Sequence, residues 1–235
     1  MKRIITCLVS LISLNAFATM IEGINPELNF DPNIEMKSSF TSPRLNVVIE
    51  NYYFPDGPQR DKFEHALELL DEIMNSEEFK RRVISYVREV NGEWVNSYQK
   101  SYLWYNRDEV LSPEDVYNVL MEGNEKMRPS TLAEMNLNSY VKVCRWWEKW
   151  STWCRKVIGS TAPSKSKWIK LNWKFYRKYE VNNMVANMVH EWIHLLGFLH
   201  GKDRMREEVP YVVGAIAGQL AAEIIEFGHP LSVIE

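Results

Sequence analysis

The chain has 235 residues, of which 46% are hydrophobic and 25% charged, with a formal net charge of −3. This is the composition of an ordinary globular protein, enough for one sizeable core in one domain. The slight negative charge gives no reason to expect nucleic acid or an anionic membrane as a partner.

The first 18 residues have the pattern of a secretory signal peptide. A basic start at Lys2 and Arg3 precedes the apolar run Ile4–Leu14, and Ala16-Phe17-Ala18 is an A-x-A cleavage site. The apolar run is too short for a membrane anchor. We therefore expect cleavage after Ala18 and a secreted or periplasmic protein.

Residues 19–43 are polar and turn-rich, with prolines at positions 26, 32 and 43. This segment is predicted to be a simple N-terminal extension. A latency propeptide is the alternative, although the segment is short and has no cysteine to cap a metal. Residues 44–235 are then expected to form the folded domain.

The first regular elements follow at once. Arg44–Tyr53 is β-branched and aromatic, which is typical of a strand. Apolar residues at helical spacing from Phe63 to Met74 predict a helix. Ser76 is a helix cap for a second helical piece that is predicted to include Val87 and to end at Asn91-Gly92.

The middle of the chain gives mixed signals. Residues 93–110 are aromatic and polar, and part of this stretch is expected to be strand. Ser112-Pro113-Glu114-Asp115 starts a helix that stops at Gly123. Residues 124–138, broken by Pro129, are predicted to be a loop.

A tryptophan-rich segment follows, with Trp146, Trp147, Trp150 and Trp153. Alternating residues predict two strands joined by a turn at 148–152. The tryptophans would then either pack on the domain or form a stacking surface for a polymer or peptide; packing is the interpretation we favour.

The same hairpin would bring Cys144 near Cys154. Cys7 leaves with the signal peptide, so an exported chain retains this even pair, which favours a disulfide. Two free buried thiols are the alternative.

The last third is predicted to hold a strand at Lys167–Tyr176, a helix at Val181–Leu196 and an apolar helix at Tyr211–Phe227. The final helix is too short and too interrupted by glycine to be predicted as transmembrane. On the middle helix, Asn183 and Asn187 fall on the side of the histidines, where they would hydrogen-bond within a site or simply face solvent.

That middle helix carries the run His190-Glu191-Trp192-Ile193-His194-Leu195-Leu196-Gly197-Phe198-Leu199-His200. Because His190 and His194 are one helical turn apart, both imidazoles can bind one metal ion, and imidazole suits Zn²⁺. Gly197 permits the positive φ that ends a helix, so His200 can return as a third ligand. Three ligands with an open fourth position are typical of catalytic zinc.

The run H-E-x-x-H-x-x-G-x-x-H resembles the zinc signature of the metzincin clan of metallopeptidases. A chance match is expected in roughly one in 10⁵ chains of this length. The resemblance implies His190, His194 and His200 as ligands of one Zn²⁺ and Glu191 as general base. It also implies an α+β, metzincin-like zincin domain, with a mixed twisted sheet, an active-site helix and a small helical C-terminal subdomain.

The chain departs from the family after His200. Metzincins carry a methionine turn beneath the zinc, and the methionine that follows His200 here is Met205, only five positions on. Val209–Tyr211 is the alternative for this turn. Tyr211 is also a candidate transition-state donor, as the resemblance to astacin- and serralysin-like enzymes implies, although its spacing differs.

The sequence therefore predicts a secreted zinc endopeptidase that acts as a monomer on protein or peptide substrates, with no membrane span. Lys167–Tyr176 and Trp153–Ser160 are candidate sheet edges for binding a peptide as an added strand. A second hypothesis takes the third ligand from Glu223. A third is a secreted binding or structural protein with a non-catalytic zinc site and a tryptophan-rich binding hairpin.

Overall fold

The computed structural model describes residues 26, 28–34, 44–127, 129 and 132–228. The expected signal peptide, residues 1–18, and most of the 19–43 extension lie outside these ranges, so cleavage after Ala18 stays a prediction. Strands and helices mix along the described chain in an α+β fold with a mixed sheet. The coarse fold class predicted from the sequence is thereby confirmed.

The strands of the described residues form two sheets. They are β1 (Asn29–Phe30), β2 (Asn46–Tyr53), β3 (Tyr86–Val90), β4 (Glu93–Val95), β5 (Glu134–Lys142), β6 (Gly159–Ala162) and β7 (Ser166–Asn172). The main sheet has the order β2-β5-β7-β6, and the small sheet has the order β1-β3-β4. In the main sheet β2 and β7 run parallel to β5, whereas β6 is an antiparallel edge strand. The link between β6 and β7 is too short for a parallel crossover, which explains the direction of this edge.

The helices of the described residues surround these sheets. They are α1 (Pro58–Met74), α2 (Glu77–Ser85), α3 (Pro113–Glu122), α4 (Thr152–Lys156), α5 (Trp173–Tyr176), α6 (Val181–Leu196) and α7 (Val209–Phe227). Helix α6 has the predicted bounds and runs through the core, with every residue from Met184 to Leu196 buried. The run that begins at His190 thus starts in a helix that is almost wholly buried.

Two helices begin where the local sequence predicts. Ser76 Oγ accepts a hydrogen bond from the Phe79 backbone N–H at 3.0 Å and caps α2. Ser112 and Asp115 form a reciprocal capping box at the start of α3. Helix α3 ends at Gly123, whose φ of 60° is left-handed.

Helices α6 and α7 pack closely because glycines on α7 face α6. A Cβ at Gly214 would lie 2.8 Å from the Ala186 carbonyl oxygen and 3.2 Å from His190 Cβ. A Cβ at Gly218 would lie 2.8 Å from Ala186 Cβ. A larger residue at either position would push the helices apart, so the small residues place the start of α7 directly against the histidine helix.

Helix α7 begins at Val209, two residues before the predicted start, and contrary to the expectation that it is too short it is long and apolar enough, by length and composition alone, to cross a membrane. Its 18-residue window has a mean hydropathy of 1.3, and 61% of that window is buried inside the protein. Burial of this extent is what a core helix of a folded domain shows.

The prediction that the second helix includes Val87 and ends at Asn91-Gly92 is wrong. Helix α2 ends at Ser85, and the chain continues as β3. Asn91 and Gly92, with φ of 54° and 87°, form the two-residue turn of a hairpin in which Val90 pairs with Glu93. Asn-Gly is a strong signal for this turn, because both residues tolerate positive φ.

Two further predictions are wrong in the region of β5. Residues 124–138 were expected to be a loop, but β5 begins at Glu134 and is an interior strand, buried from Met135 to Ser139. Lys167–Tyr176 is not a sheet edge, because β7 lies between β5 and β6. The edge that remains from the predicted pair is Gly159-Ser160 in β6.

The prediction of a tryptophan-rich hairpin is also wrong. After β5 the chain forms a short 3-10 helix, Trp146–Glu148, and then α4. The Ser151 side chain caps α4 by accepting from the Cys154 N–H at 3.2 Å, which is the local signal that favours helix over strand. The sulfurs of Cys144 and Cys154 are nevertheless joined in a disulfide, with Cα atoms 6.0 Å apart.

Candidate metal centre

Helix α6 carries three buried polar side chains within its last two turns. His190 is 1% exposed, and Glu191 and His194 are 0% exposed. The helix ends at Gly197, whose φ of 123° is disfavoured for other residues and whose absent Cβ would lie 2.7 Å from the Tyr105 ring. The chain turns there and returns His200 to the two helical histidines.

The three histidines converge through one ring nitrogen each. These nitrogens all lie within 4.8 Å of one another, and Nε2 of His190 is 3.2 Å from Nε2 of His200. Two imidazoles bound to one tetrahedral Zn²⁺ have nitrogens about 3.3 Å apart, given a Zn–N distance of about 2.0–2.1 Å. The spacing therefore fits a shared metal ion.

Hydrogen bonds fix which nitrogen of each helical histidine carries the proton. His190 Nδ1 lies 2.9 Å from the Pro210 carbonyl oxygen, and His194 Nδ1 lies 2.6 Å from that of Phe198. Because a carbonyl oxygen only accepts, both Nδ1 atoms must donate. The lone pairs of the neutral rings are left on Nε2, where a metal would bind.

His200 is oriented by a carboxylate that sequence reasoning missed. Glu208 is 0% exposed, and its Oε2 accepts from His200 Nδ1 at 2.7 Å. Its Oε1 accepts from the Gly201 N–H at 2.8 Å and lies 3.8 Å from Lys100 Nζ. In the sequence Glu208 is one of several charges after His200; its place directly before the apolar start of α7 is the one signal that sets it apart.

The buried polar atoms at the centre have no protein partner among the described residues. They are His194 Nε2 and both carboxylate oxygens of Glu191. An unpaired buried polar group costs about 1–3 kcal/mol, and three of them lie in one motif. A cation with its water molecules would satisfy these atoms, so the residues present could hold a metal ion.

Burial sets the ionisation of this cluster when no cation is present. It lowers the pKa of His190 well below the ordinary value, and it lowers that of His194 to about 3, with the neighbouring histidine charges adding to both shifts. Both imidazoles are therefore neutral at pH 7, the form in which a histidine can bind a metal. Burial also raises the pKa of Glu191 well above its ordinary value. A nearby positive charge would stabilise the ionised form of this carboxylate.

The floor of the cluster comes from the first turn of α7. The Tyr211 ring stacks on His200 with centroids 4.4 Å apart, and it lies 5.0 Å from the His190 ring. Met205, one of the two candidates for the methionine turn, is 44% exposed instead. The segment Val209–Tyr211, the other candidate, is the one that lies against the histidines.

The wall beside Glu191 is formed by β6 and α5. A Cβ at Gly159 would lie 2.8 Å from both Glu191 Oε1 and Asn187 Oδ1, so β6 approaches the carboxylate as closely as glycine permits. Asn187 is fully buried and accepts from the Tyr176 hydroxyl, and its Nδ2 has no partner among the described residues. The alternative in which Asn187 simply faces solvent is therefore wrong. Asn183, in contrast, is exposed.

The alternative third ligand, Glu223, is committed elsewhere. Its two carboxylate oxygens accept from the Arg82 guanidinium at 3.0 and 2.7 Å. Arg82 also donates to Glu78, so Glu223 ties α7 to α2. Among the described residues, the group that could hold a metal ion consists of His190, His194 and His200.

Comparison of the chain with models of protein families, with curated proteins and with solved structures finds no match.

Proposed function

We propose that this chain is a zinc-dependent endopeptidase of the metzincin type. The observation that carries the proposal is the group of three histidine ring nitrogens within 4.8 Å of one another, two of them on the same buried helix as the unpaired Glu191 carboxylate. A purely structural zinc site would use four protein ligands. Hydrolysis by a metal-activated water needs three protein ligands and a nearby carboxylate that does not itself bind the metal.

The residues of the site divide the chemistry between them. His190, His194 and His200 would hold Zn²⁺, which supplies Lewis-acid activation of a water and of the scissile carbonyl when bound. Glu191 follows His190 on the helix, about 100° around its axis, and is buried without a partner among the described residues; its carboxylate would accept the proton of the attacking water. The same carboxylate then delivers that proton to the leaving amine.

The arrangement around the site supports a metzincin-like fold. A mixed sheet, a buried histidine helix that stops at Gly197 and a final helix beneath the histidines are the parts that the resemblance implies. The antiparallel edge strand β6 passes Glu191 at Gly159. A peptide that pairs with this edge as an added strand would place its backbone next to the carboxylate.

The setting of the enzyme follows from the sequence. The signal-peptide pattern at residues 1–18 and the Cys144–Cys154 disulfide support an extracellular or periplasmic location. The substrate would be a protein or peptide, and the enzyme would act as a monomer.

The test compares metal content with cleavage. The processed chain should bind one zinc ion, measured by elemental analysis after gel filtration, and cleave casein or a mixed peptide library. Glu191→Gln should keep the zinc and lose cleavage by several orders of magnitude. His200→Ala should lose the zinc, whereas the matched control Glu223→Ala should keep it. Normal cleavage by Glu191→Gln would overturn the mechanism.

The competing function is a secreted binding or structural protein with a non-catalytic zinc site. The exposed tryptophans at 146, 147 and 150 favour it, because large indoles in water usually have a partner. Stoichiometric zinc without hydrolysis of any peptide in a diverse library would support this function. The buried, unpaired Glu191 argues against it, since metal retention does not need that carboxylate.

A further inference from the structure

The segment Val143–Lys156, called here the tryptophan loop, exposes an unusual amount of indole surface. Trp146 is 73% exposed, Trp147 is 56% and Trp150 is 83%. The prediction that these tryptophans pack on the domain is therefore wrong for all three. Exposed aromatic surface of this extent is typical of an interaction site.

The loop holds these rings outward in a defined structure. The disulfide between Cys144 and Cys154 closes its base. Trp146 and Trp147 lie in the 3-10 helix, and Trp150 precedes the Ser151 cap of α4. The indoles are thus presented by a short, cross-linked structure, so little conformational entropy would be lost when a partner covers them.

The loop is positively charged although the chain is not. It contains four cations, Arg145, Lys149, Arg155 and Lys156, against the single acid Glu148, whereas the whole chain has a net charge of −3. All four cations are exposed. Glu148 is neutralised by Lys142 at 3.0 Å, so the loop presents a local positive field that the net charge conceals.

The ring geometry argues against a flat platform for sugar stacking. Trp146 and Trp147 are nearly perpendicular, at 86°, with centroids 5.7 Å apart. The Arg145 guanidinium lies 5.4 Å over the Trp147 ring and covers one of its faces. A membrane interface does not require parallel rings. Indoles in different orientations can lie at the level of the lipid headgroups while neighbouring cations bind the anionic phosphates.

We propose that the tryptophan loop docks the protein peripherally on a lipid bilayer that contains anionic phospholipid. Trp146 and Trp150 enter the interface, and Arg145, Lys149, Arg155 and Lys156 bind the headgroup phosphates. The loop leads directly into β6, and Gly159 of that strand lies against Glu191. Docking would therefore hold the candidate metal centre close to the bilayer surface. This proposal does not depend on peptidase activity.

Vesicle sedimentation of the chain lacking residues 1–18 tests the proposal. The chain should bind vesicles that contain phosphatidylglycerol more tightly than vesicles of phosphatidylcholine alone, and added salt should weaken the binding. Lys149→Gln with Arg155→Gln and Lys156→Gln should weaken it by about five-fold for each charge removed. Trp146→Ser with Trp150→Ser should weaken it by roughly ten-fold or more.

Matched controls separate the loop from the rest of the surface. Trp94→Ser removes an exposed tryptophan outside the loop, 59% exposed on β4, and should leave binding unchanged. Arg177→Gln with Lys178→Gln and Lys202→Gln removes three exposed cations elsewhere and should have at most a small effect.

Three results would overturn the proposal. One is the absence of binding to anionic vesicles at low ionic strength. Another is binding that the loop variants and the control variants weaken equally. The third is retention on an insoluble anionic polysaccharide without any retention on vesicles, which would assign the loop to a glycan. Each variant is checked by thermal denaturation so that a folding defect is not scored as lost binding.

Discussion

Glu208 holds His200 in place: its Oε2 accepts from His200 Nδ1 at 2.7 Å while its Oε1 accepts from the Gly201 N–H at 2.8 Å. His190 and His194 donate instead to backbone carbonyls of Pro210 and Phe198. His200 is thus the one histidine of the three whose orientation depends on a side chain. It also lies outside the helix, where the backbone constrains it least.

Removing this carboxylate should weaken metal binding without removing a ligand. Glu208→Ala is expected to reduce zinc affinity by about 10–100-fold, the usual effect of losing a partner of a metal-bound histidine. Competition with a fluorescent zinc chelator measures the affinity. The neighbouring variant Glu207→Ala is the control and should bind zinc normally. Equal affinity for Glu208→Ala and the parent would show that the carboxylate does not orient His200.

Tyr211 has two candidate roles that one pair of variants can separate. Its ring stacks on His200 at 4.4 Å and is 3% exposed, which supports a role as the floor of the site. Tyr211→Phe keeps the ring, so zinc affinity and stability should be nearly unchanged. Tyr211→Ala removes the ring and should lower the free energy of unfolding by roughly 3–5 kcal/mol.

The hydroxyl is then tested by activity alone. Burial raises the pKa of Tyr211 to about 12, so the phenol keeps its proton at pH 7. A fall in kcat for Tyr211→Phe, with normal zinc content and KM, would identify the hydroxyl as a transition-state donor. Loss of zinc from Tyr211→Phe would contradict the role of the ring as the floor.

Much of this site could be predicted from local sequence. Helix α6 has the predicted bounds because both signals are local: the apolar stripe lies along the helix itself, and Gly197 follows its last residue. Ser76 and Ser112 cap helices for the same reason. The partners of the histidine rings could not be predicted in this way. Pro210 and Glu208 reach them where α7 packs against α6, a close tertiary contact that Gly214 permits.

The errors in the fold have a different cause. Residues 134–138 of β5 include one Glu and two Asn residues, types that are depleted in strands, yet the strand is interior. Two of its polar residues have specific hydrogen-bond partners outside the strand. The Asn136 backbone N–H donates to Glu125 Oε1 at 2.6 Å, and Asn138 Nδ2 donates to Glu50 Oε2 at 2.9 Å. Tertiary hydrogen bonds from distant residues have overridden the local preference.

Glu125 also joins β5 to the histidine helix, and this makes stability depend on pH. Its Oε1 accepts from both the Asn136 N–H and Trp192 Nε1, the latter at 3.3 Å, and the residue is 3% exposed. Burial raises the pKa of Glu125, against the opposing effect of these hydrogen bonds. The folded state therefore holds the proton more tightly than the unfolded state does.

The sign of the effect follows from that difference. Stability contributed by the protonated carboxyl is present below the unfolded pKa, near 4.5, and is lost as pH rises through the higher folded pKa. Glu125→Gln keeps an acceptor for the Asn136 N–H and has no charge to bury. Its free energy of unfolding should therefore rise relative to the parent as pH increases from about 4 to 8. Urea unfolding across this range measures the difference, with the exposed Glu122→Gln as control. A difference between Glu125→Gln and the parent that does not change with pH would show that Glu125 keeps the same affinity for its proton in both states.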